Sequence, residues 1–118
     1  MRSLIRLGVL LLVVTFTSTP IGHALEPPLP KSLGCFKDTS VLDLDGYLER
    51  SADNTPERCA GICKKKGFRY AAVQNGESCL CGNSYGKYGR ASNCNMKCTG
   101  GLMTCGGSSA NEVLDTNF

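Results

Sequence analysis

Thr55-Pro-Glu-Arg-Cys-Ala-Gly-Ile-Cys-Lys-Lys-Lys-Gly-Phe-Arg-Tyr-Ala-Ala-Val-Gln-Asn-Gly-Glu-Ser-Cys-Leu-Cys-Gly-Asn83 holds four of the eight cysteines and decides the fold. Thr55 is a natural N-cap, because its hydroxyl can accept a free N–H of a first helical turn. Pro56 follows where its missing N–H costs nothing, and Glu57 faces the positive end of the helix dipole. Lys64, Lys65 and Lys66 suit the negative end, and Gly67 offers the left-handed residue that stops a helix. Between these limits Cys59, Ile62, Cys63 and Lys66 recur at helical spacing, so both thiols share one face.

The period then changes. Phe68 to Gln74 and Glu77 to Gly82 read as strands joined by Asn75-Gly76, a strong hairpin signal. A two-residue turn pairs Gln74 with Glu77, Ala72 with Cys79 and Tyr70 with Cys81. Cys79 and Cys81 then share a face with Ala72 and Tyr70, and Ala71, Val73, Ser78 and Leu80 take the other. Neighbouring cysteines within the helix or within the strand are too far apart for an unstrained bridge, so bridges run from helix to hairpin. Two such pairings exist, and Cys35, Cys94, Cys98 and Cys105 can join in three ways, so about six connectivities remain.

Outward from this stretch, residues 1–24 read as a signal peptide. Arg2 and Arg6 flank the apolar run Leu7 to Phe16, and Gly22-His23-Ala24 supplies small residues for cleavage. The run is short for a membrane span. The expected mature chain is 94 residues with eleven basic and ten acidic side chains, a net charge of +1. That balance argues against nucleic acid or an anionic membrane as partner, because only Lys64 to Lys66 forms a basic run. Export to an oxidising compartment favours four disulfides over a four-thiolate zinc site at Cys59, Cys63, Cys79 and Cys81.

Residues 25–32 form a proline-rich, extended arm. Leu33 to Phe36 reads as a first strand, Tyr47-Leu48 as a second, and Val113-Leu114 as a closing strand beside Cys35. Asp38, Asp43 and Asp45 lie in a segment read as a solvated loop with turn-forming aspartates, since it lacks the twelve-position pattern of a calcium loop. Ser84 to Asn93 is glycine-rich and carries Tyr85 and Tyr88. Cys94, Cys98 and Cys105 bracket disulfide-held loops, and residues 115–118 form a tail.

Catalysis is not expected. The single histidine, His23, leaves with the signal peptide, which removes Ser-His and Cys-His chemistry. Glu49, Glu57 and Glu77 are the carboxylates available for glycoside hydrolysis, but so small a chain rarely builds the cleft that raises a carboxyl pKa. No cofactor and no metal are implied.

The residues resemble the WSC domain family. The match covers Leu33 to Leu114, through Gly34-Cys35-Phe36-x-Asp38, Thr55-Pro56-Glu57-x-Cys59-x3-Cys63, Gly67-Phe68-x-Tyr70-Ala71, Gly76-Glu77-x-Cys79-x-Cys81-Gly82-Asn83, Cys94-Asn95-Met96-x-Cys98-x-Gly100 and Cys105-Gly106-Gly107. All eight cysteines fall in the family order. The resemblance implies an α+β, disulfide-rich module, similar to apple/PAN domains, with one helix on a small antiparallel sheet. It also implies a secreted or cell-wall-associated, non-catalytic carbohydrate-binding module for polysaccharide such as β-glucan. The residues matching that role are Tyr85 and Tyr88 as sugar-stacking platforms, with Gln74, Asn75, Glu77 and Asn83 as polar partners.

Two positions depart from the family pattern. Asn75 stands where an aromatic usually precedes the hairpin glycine, and Leu80 where one separates the strand cysteines; both changes remove potential stacking surface. The alternatives are a protein-interaction module of apple type, presenting Ala71, Val73 and Leu80 to an extracellular partner, and a structural wall component.

Overall fold

The computed structural model describes residues 28–118; the signal peptide read over residues 1–24 and the first residues of the arm lie outside them. One helix, α1 (Pro56–Lys65), packs on a five-stranded antiparallel sheet of β1 (Ser32–Lys37), β2 (Tyr47–Arg50), β3 (Tyr70–Gln74), β4 (Ser78–Gly82) and β5 (Ala110–Asp115). The spatial order is β1-β5-β3-β4-β2. β5 therefore lies between β1 and β3, and Cys35 faces Glu112 across the closing pair. Among the described residues no helix is long and apolar enough to cross a membrane.

The helix ends as its sequence dictates. The Thr55 hydroxyl accepts the Arg58 N–H at 3.1 Å. Gly67, at φ 89°, reverses the chain while its N–H donates to Lys64 and the Phe68 N–H donates to Cys63. These two bonds form a Schellman cap, and Phe68 packs against the cluster that contains Cys63.

The hairpin departs from the sequence reading by one residue. Gln74 pairs with Ser78, Val73 with Cys79 and Ala71 with Cys81, around a three-residue turn of Asn75, Gly76 and Glu77. The turn is shaped by its neighbours. The N–H groups of Asn75 and Gly76 donate to Gly107 and Cys105, and the Glu77 carbonyl accepts the Ser51 N–H. A one-residue change of register exchanges faces, so Cys79 and Cys81 share theirs with Ala71 and Val73 rather than with Ala72 and Tyr70.

That face lies under α1. Cys59 joins Cys79 and Cys63 joins Cys81, with Cα separations of 5.4 and 5.3 Å. A helix approaches a strand this closely only where the side chains between them are small, and Ala60, Ala71 and Val73, all buried, fill the contact. Cys35–Cys94 and Cys98–Cys105 complete the set, leaving no free cysteine. The helix-to-hairpin arrangement is one of the six read from sequence, and it consumes the sulfurs a zinc site would need.

The second face carries Phe36, Ala72, Leu80 and Val113, covered by Leu44 and flanked by Leu33, Leu42, Tyr70 and Tyr85. Ala71, Val73 and Leu80 are all buried. They lie on opposite faces of the sheet and present nothing to a partner, which overturns the protein-contact surface read from sequence. Burial of Leu80 also means that an aromatic there would enlarge the core rather than a stacking surface.

The loop before β2 is exposed at Thr39, Ser40, Val41 and Asp45, as its sequence suggests, but two of its three aspartates are not solvated. Asp38 and Asp43 are buried. Asp38 accepts the N–H groups of Thr39 and Asp43, both at 2.9 Å, and the Gln74 amide at 2.7 Å. At the chain ends, the Lys31 carbonyl accepts the Asp115 N–H, and Thr116 donates its hydroxyl to the carbonyls of Phe68 and Arg69.

Candidate functional site

The segment from Asn83 to Arg90 crosses the edge of the second face and carries both tyrosines singled out in the sequence. Its backbone is fixed from beneath. The Asp43 carboxylate accepts the N–H of Gly86 at 2.6 Å and of Lys87 at 3.2 Å. Gly86 and Gly89 adopt φ values of 92° and 87°, and the Gly89 N–H closes a turn on the Gly86 carbonyl. The far end pairs with the sheet edge, where Lys37 N–H donates to Gly89 and Ala91 N–H to Cys35. The Cys35–Cys94 bridge fastens the strand to the segment that follows.

Three rings stand in a row on this face. Tyr85 meets Phe36 at 5.1 Å and Tyr70 at 4.7 Å between centroids, both edge-on. Edge-to-face contacts of this kind stabilise aromatic pairs and fix ring orientation. Tyr85 is half-buried, and so are Tyr70 and Tyr88. Tyr88 donates its hydroxyl to the Val41 carbonyl at 2.6 Å, tying this loop to the one before β2.

The six residues assigned to glycan contact separate into two groups. Asn83, Tyr85 and Tyr88 lie at the end of the hairpin where Tyr70 pairs with Gly82. Asn83 there accepts the Arg69 N–H at 3.0 Å and is otherwise exposed. Gln74, Asn75 and Glu77 lie at the opposite end, four residues along β3, or about 13 Å away. Gln74 spends its amide N–H groups on Asp38 and Asn111, each at 2.7 Å. Asn75, at φ 55°, is the turn residue, and Glu77 stands 3.8 Å from Arg50.

The residues that shape this surface without having been named for it are Phe36, Tyr70, Asp43 and Asp38. Phe36 and Tyr70 belong to recognisable strand segments, and their alternation on one sheet face was the available signal. Asp43 looked like a loop former because its partners are main-chain amides 43 and 44 residues away. Asp38 did so because the Gln74 amide lies 36 residues further on.

Of the carboxylates considered for hydrolysis, Glu49 is held in a hydrogen-bonded pair. Glu49 accepts a 2.8 Å hydrogen bond from Arg58 and another from the Tyr47 hydroxyl at 3.0 Å. The Arg58 bond holds its carboxyl below the usual range, the reverse of what a general acid needs, and the same Glu49 pushes the Tyr47 phenol up.

Comparison with known proteins gives one consistent result. The family model described as the WSC domain matches residues 32–107. Xylosyltransferase oxt of Drosophila melanogaster is 40% identical over 95 residues, covering 74% of this chain and 11% of that protein. Human Kremen protein 1 is 35% identical over 94 residues, covering 75% of this chain and 20% of that protein. Human Kremen protein 2 is 33% identical over 95 residues, covering 75% and 21%. The chain thus spans between a tenth and about a fifth of these relatives, which share the module within otherwise larger proteins. With its eight cysteines bridged on one helix and five strands, this chain belongs to the WSC domain family.

Proposed function

We propose that this chain is a secreted, non-catalytic recognition module that binds extracellular polysaccharide through Asn83, Tyr85 and Tyr88. The observation that carries this reading is the row of Phe36, Tyr85 and Tyr70, with Tyr88 three residues further along the same Asp43-held loop. Aromatic surface covers the apolar C–H face of a sugar, and fixed side chains lose little entropy on binding. The exposed amide of Asn83 supplies a donor for a sugar hydroxyl. Four disulfides support an extracellular setting, because bridges of this density persist where the surroundings are oxidising.

Retention on insoluble β-glucan, chitin, cellulose and xylan tests the reading, with Tyr88→Ala in parallel. Retention on at least one matrix, weakened in the variant, supports it. Passage of the parent through all four matrices removes it.

A second reading has its own observation. The loop closed by Cys98–Cys105 exposes Leu102 at 86% and Met103 at 48%. Exposed apolar side chains gathered on one loop suit a protein partner. Leu102→Asp separates the two readings, because it should abolish a protein contact and leave glycan retention intact.

A further inference from the structure

Each end of the aromatic row carries an arginine. The Arg90 guanidinium lies 5.0 Å from the Phe36 ring centre, and that of Arg69 lies 5.3 Å from Tyr70. Lys37 lines the same hollow as Arg90, about 420 Å³ in volume, together with Ser92 and Asn93. Lys87 approaches the Tyr88 ring to 5.4 Å. All four cations are exposed, and among the described residues none is in an ion pair; the two that occur use Arg50 and Arg58.

Among the described residues no nearby acid forms an ion pair with them. Asp43 and Asp38 are buried and turned inward onto main-chain amides and the Gln74 side chain. Asp115 borders the hollow of Arg69 without pairing with it, and one of its oxygens accepts the Asn117 N–H. Unpaired like charges at both ends of one surface repel each other, so their arrangement suits an opposite charge supplied from outside.

We propose that this surface takes an anionic polysaccharide, one whose sugars bear carboxylate or sulfate groups, with its backbone along Tyr85 and its charges at Arg90 and Arg69. The inference rests on the glycan-binding reading and names the class of glycan. A guanidinium stacked on a ring keeps its N–H edge free, and that edge matches the two oxygens of a carboxylate or sulfate. Each guanidinium already lies over a ring, and its planar fork makes these arginines better carboxylate or sulfate contacts than the ammonium of Lys65 on the helix.

The test compares one β-glucan with the same glucan oxidised to carry carboxylates, by calorimetry at low salt. A sulfated preparation serves as a third arm and distinguishes the two anions. The oxidised or sulfated form should bind about tenfold tighter than the neutral one, the gain expected of one charge-assisted contact. In Arg69→Gln/Arg90→Gln that ratio should fall to within about twofold of one. Lys65→Gln, which changes the same charge on the helix, should leave the ratio as in the parent.

A ratio near one in the parent overturns the inference while sparing the glycan reading, provided Tyr88→Ala still weakens neutral binding. A high ratio that survives the double variant, or falls equally in Lys65→Gln, also overturns it. Binding of no glycan overturns both. Should the double variant fail to fold, the side-chain Nε–H resonances of the parent decide. Those of Arg69 and Arg90 should shift with the oxidised glucan, and a shift confined to Arg50 and Arg58 contradicts the assignment.

Discussion

Asp43 holds the main-chain N–H of Gly86 at 2.6 Å, so a buried carboxylate from the loop before β2 sets the position of the loop that carries Tyr85 and Tyr88. Hydrogen bonds to a charged group contribute about 1.5–3 kcal/mol, and losing the acceptor leaves two amides unpaired. Asp43→Ala should therefore destabilise the domain by about 2–3 kcal/mol. It should also speed hydrogen exchange at Gly86 and Lys87 before global unfolding. Denaturant melts and amide exchange check both effects; unchanged exchange would show that the loop holds itself.

Two glycines should respond in opposite directions to the same substitution. Gly106 has φ 71°, and an added Cβ would strike the carbonyls of Val73 and Ala110. Gly106→Ala should cost more than about 3 kcal/mol, since neither strand can move without breaking the ladder. Gly61 lies within α1 with open space where a Cβ would stand. Gly61→Ala should stabilise by up to about 1 kcal/mol through helix propensity. Thermal melts of the two variants give the signs directly.

Acid should loosen the contact between β2 and α1. The Arg58 hydrogen bond lowers the Glu49 pKa in the folded state, so its contribution is complete above the ordinary carboxylate range and fades as pH falls below it. Because the pair is partly exposed, the contribution is about 0.2–1 kcal/mol. Glu49→Gln should flatten the acid limb of the stability curve by that amount and leave neutral-pH binding to glycan unaltered. An acid limb identical to the parent's would show that Glu49 contributes nothing to it.

The elements that local chemistry specifies were legible in the sequence. Thr55, Pro56 and Gly67 marked α1, Asn75-Gly76 marked the hairpin, and the spacings of Cys59/Cys63 and Cys79/Cys81 fixed the direction of two bridges. The hairpin register was not legible, because Gly107 and Cys105 bind the turn from far downstream in the chain. The buried roles of Asp38 and Asp43 were hidden for the same reason, since their partners are set by tertiary contact. Tyr85 and Tyr88 stood out by residue type, whereas the separation of Asn75 and Glu77 from them followed only from the length of β3.

Reduction should unfold the domain. Each bridge contributes about 2–4 kcal/mol by restricting the unfolded chain, and four together rival the whole net stability of a domain this size. Peptide mapping of the unreduced protein should return Cys35–Cys94, Cys59–Cys79, Cys63–Cys81 and Cys98–Cys105. A Cys59–Cys81 linkage, which leaves Cys79 for Cys63, would reverse the direction of the helix along β4 and contradict this packing.

Amide NMR shifts during titration with soluble β-glucan and its oxidised form test most directly whether the loop from Asn83 to Arg90 is the surface that meets glycan. Shifts should concentrate at Asn83, Tyr85, Lys87 and Tyr88, spread to Phe36 and Tyr70 beneath them, and weaken in Tyr88→Ala. Shifts confined to the turn at Asn75 and Glu77, or to Leu102 and Met103, would contradict it, as would a saturating titration that moves no resonance at all.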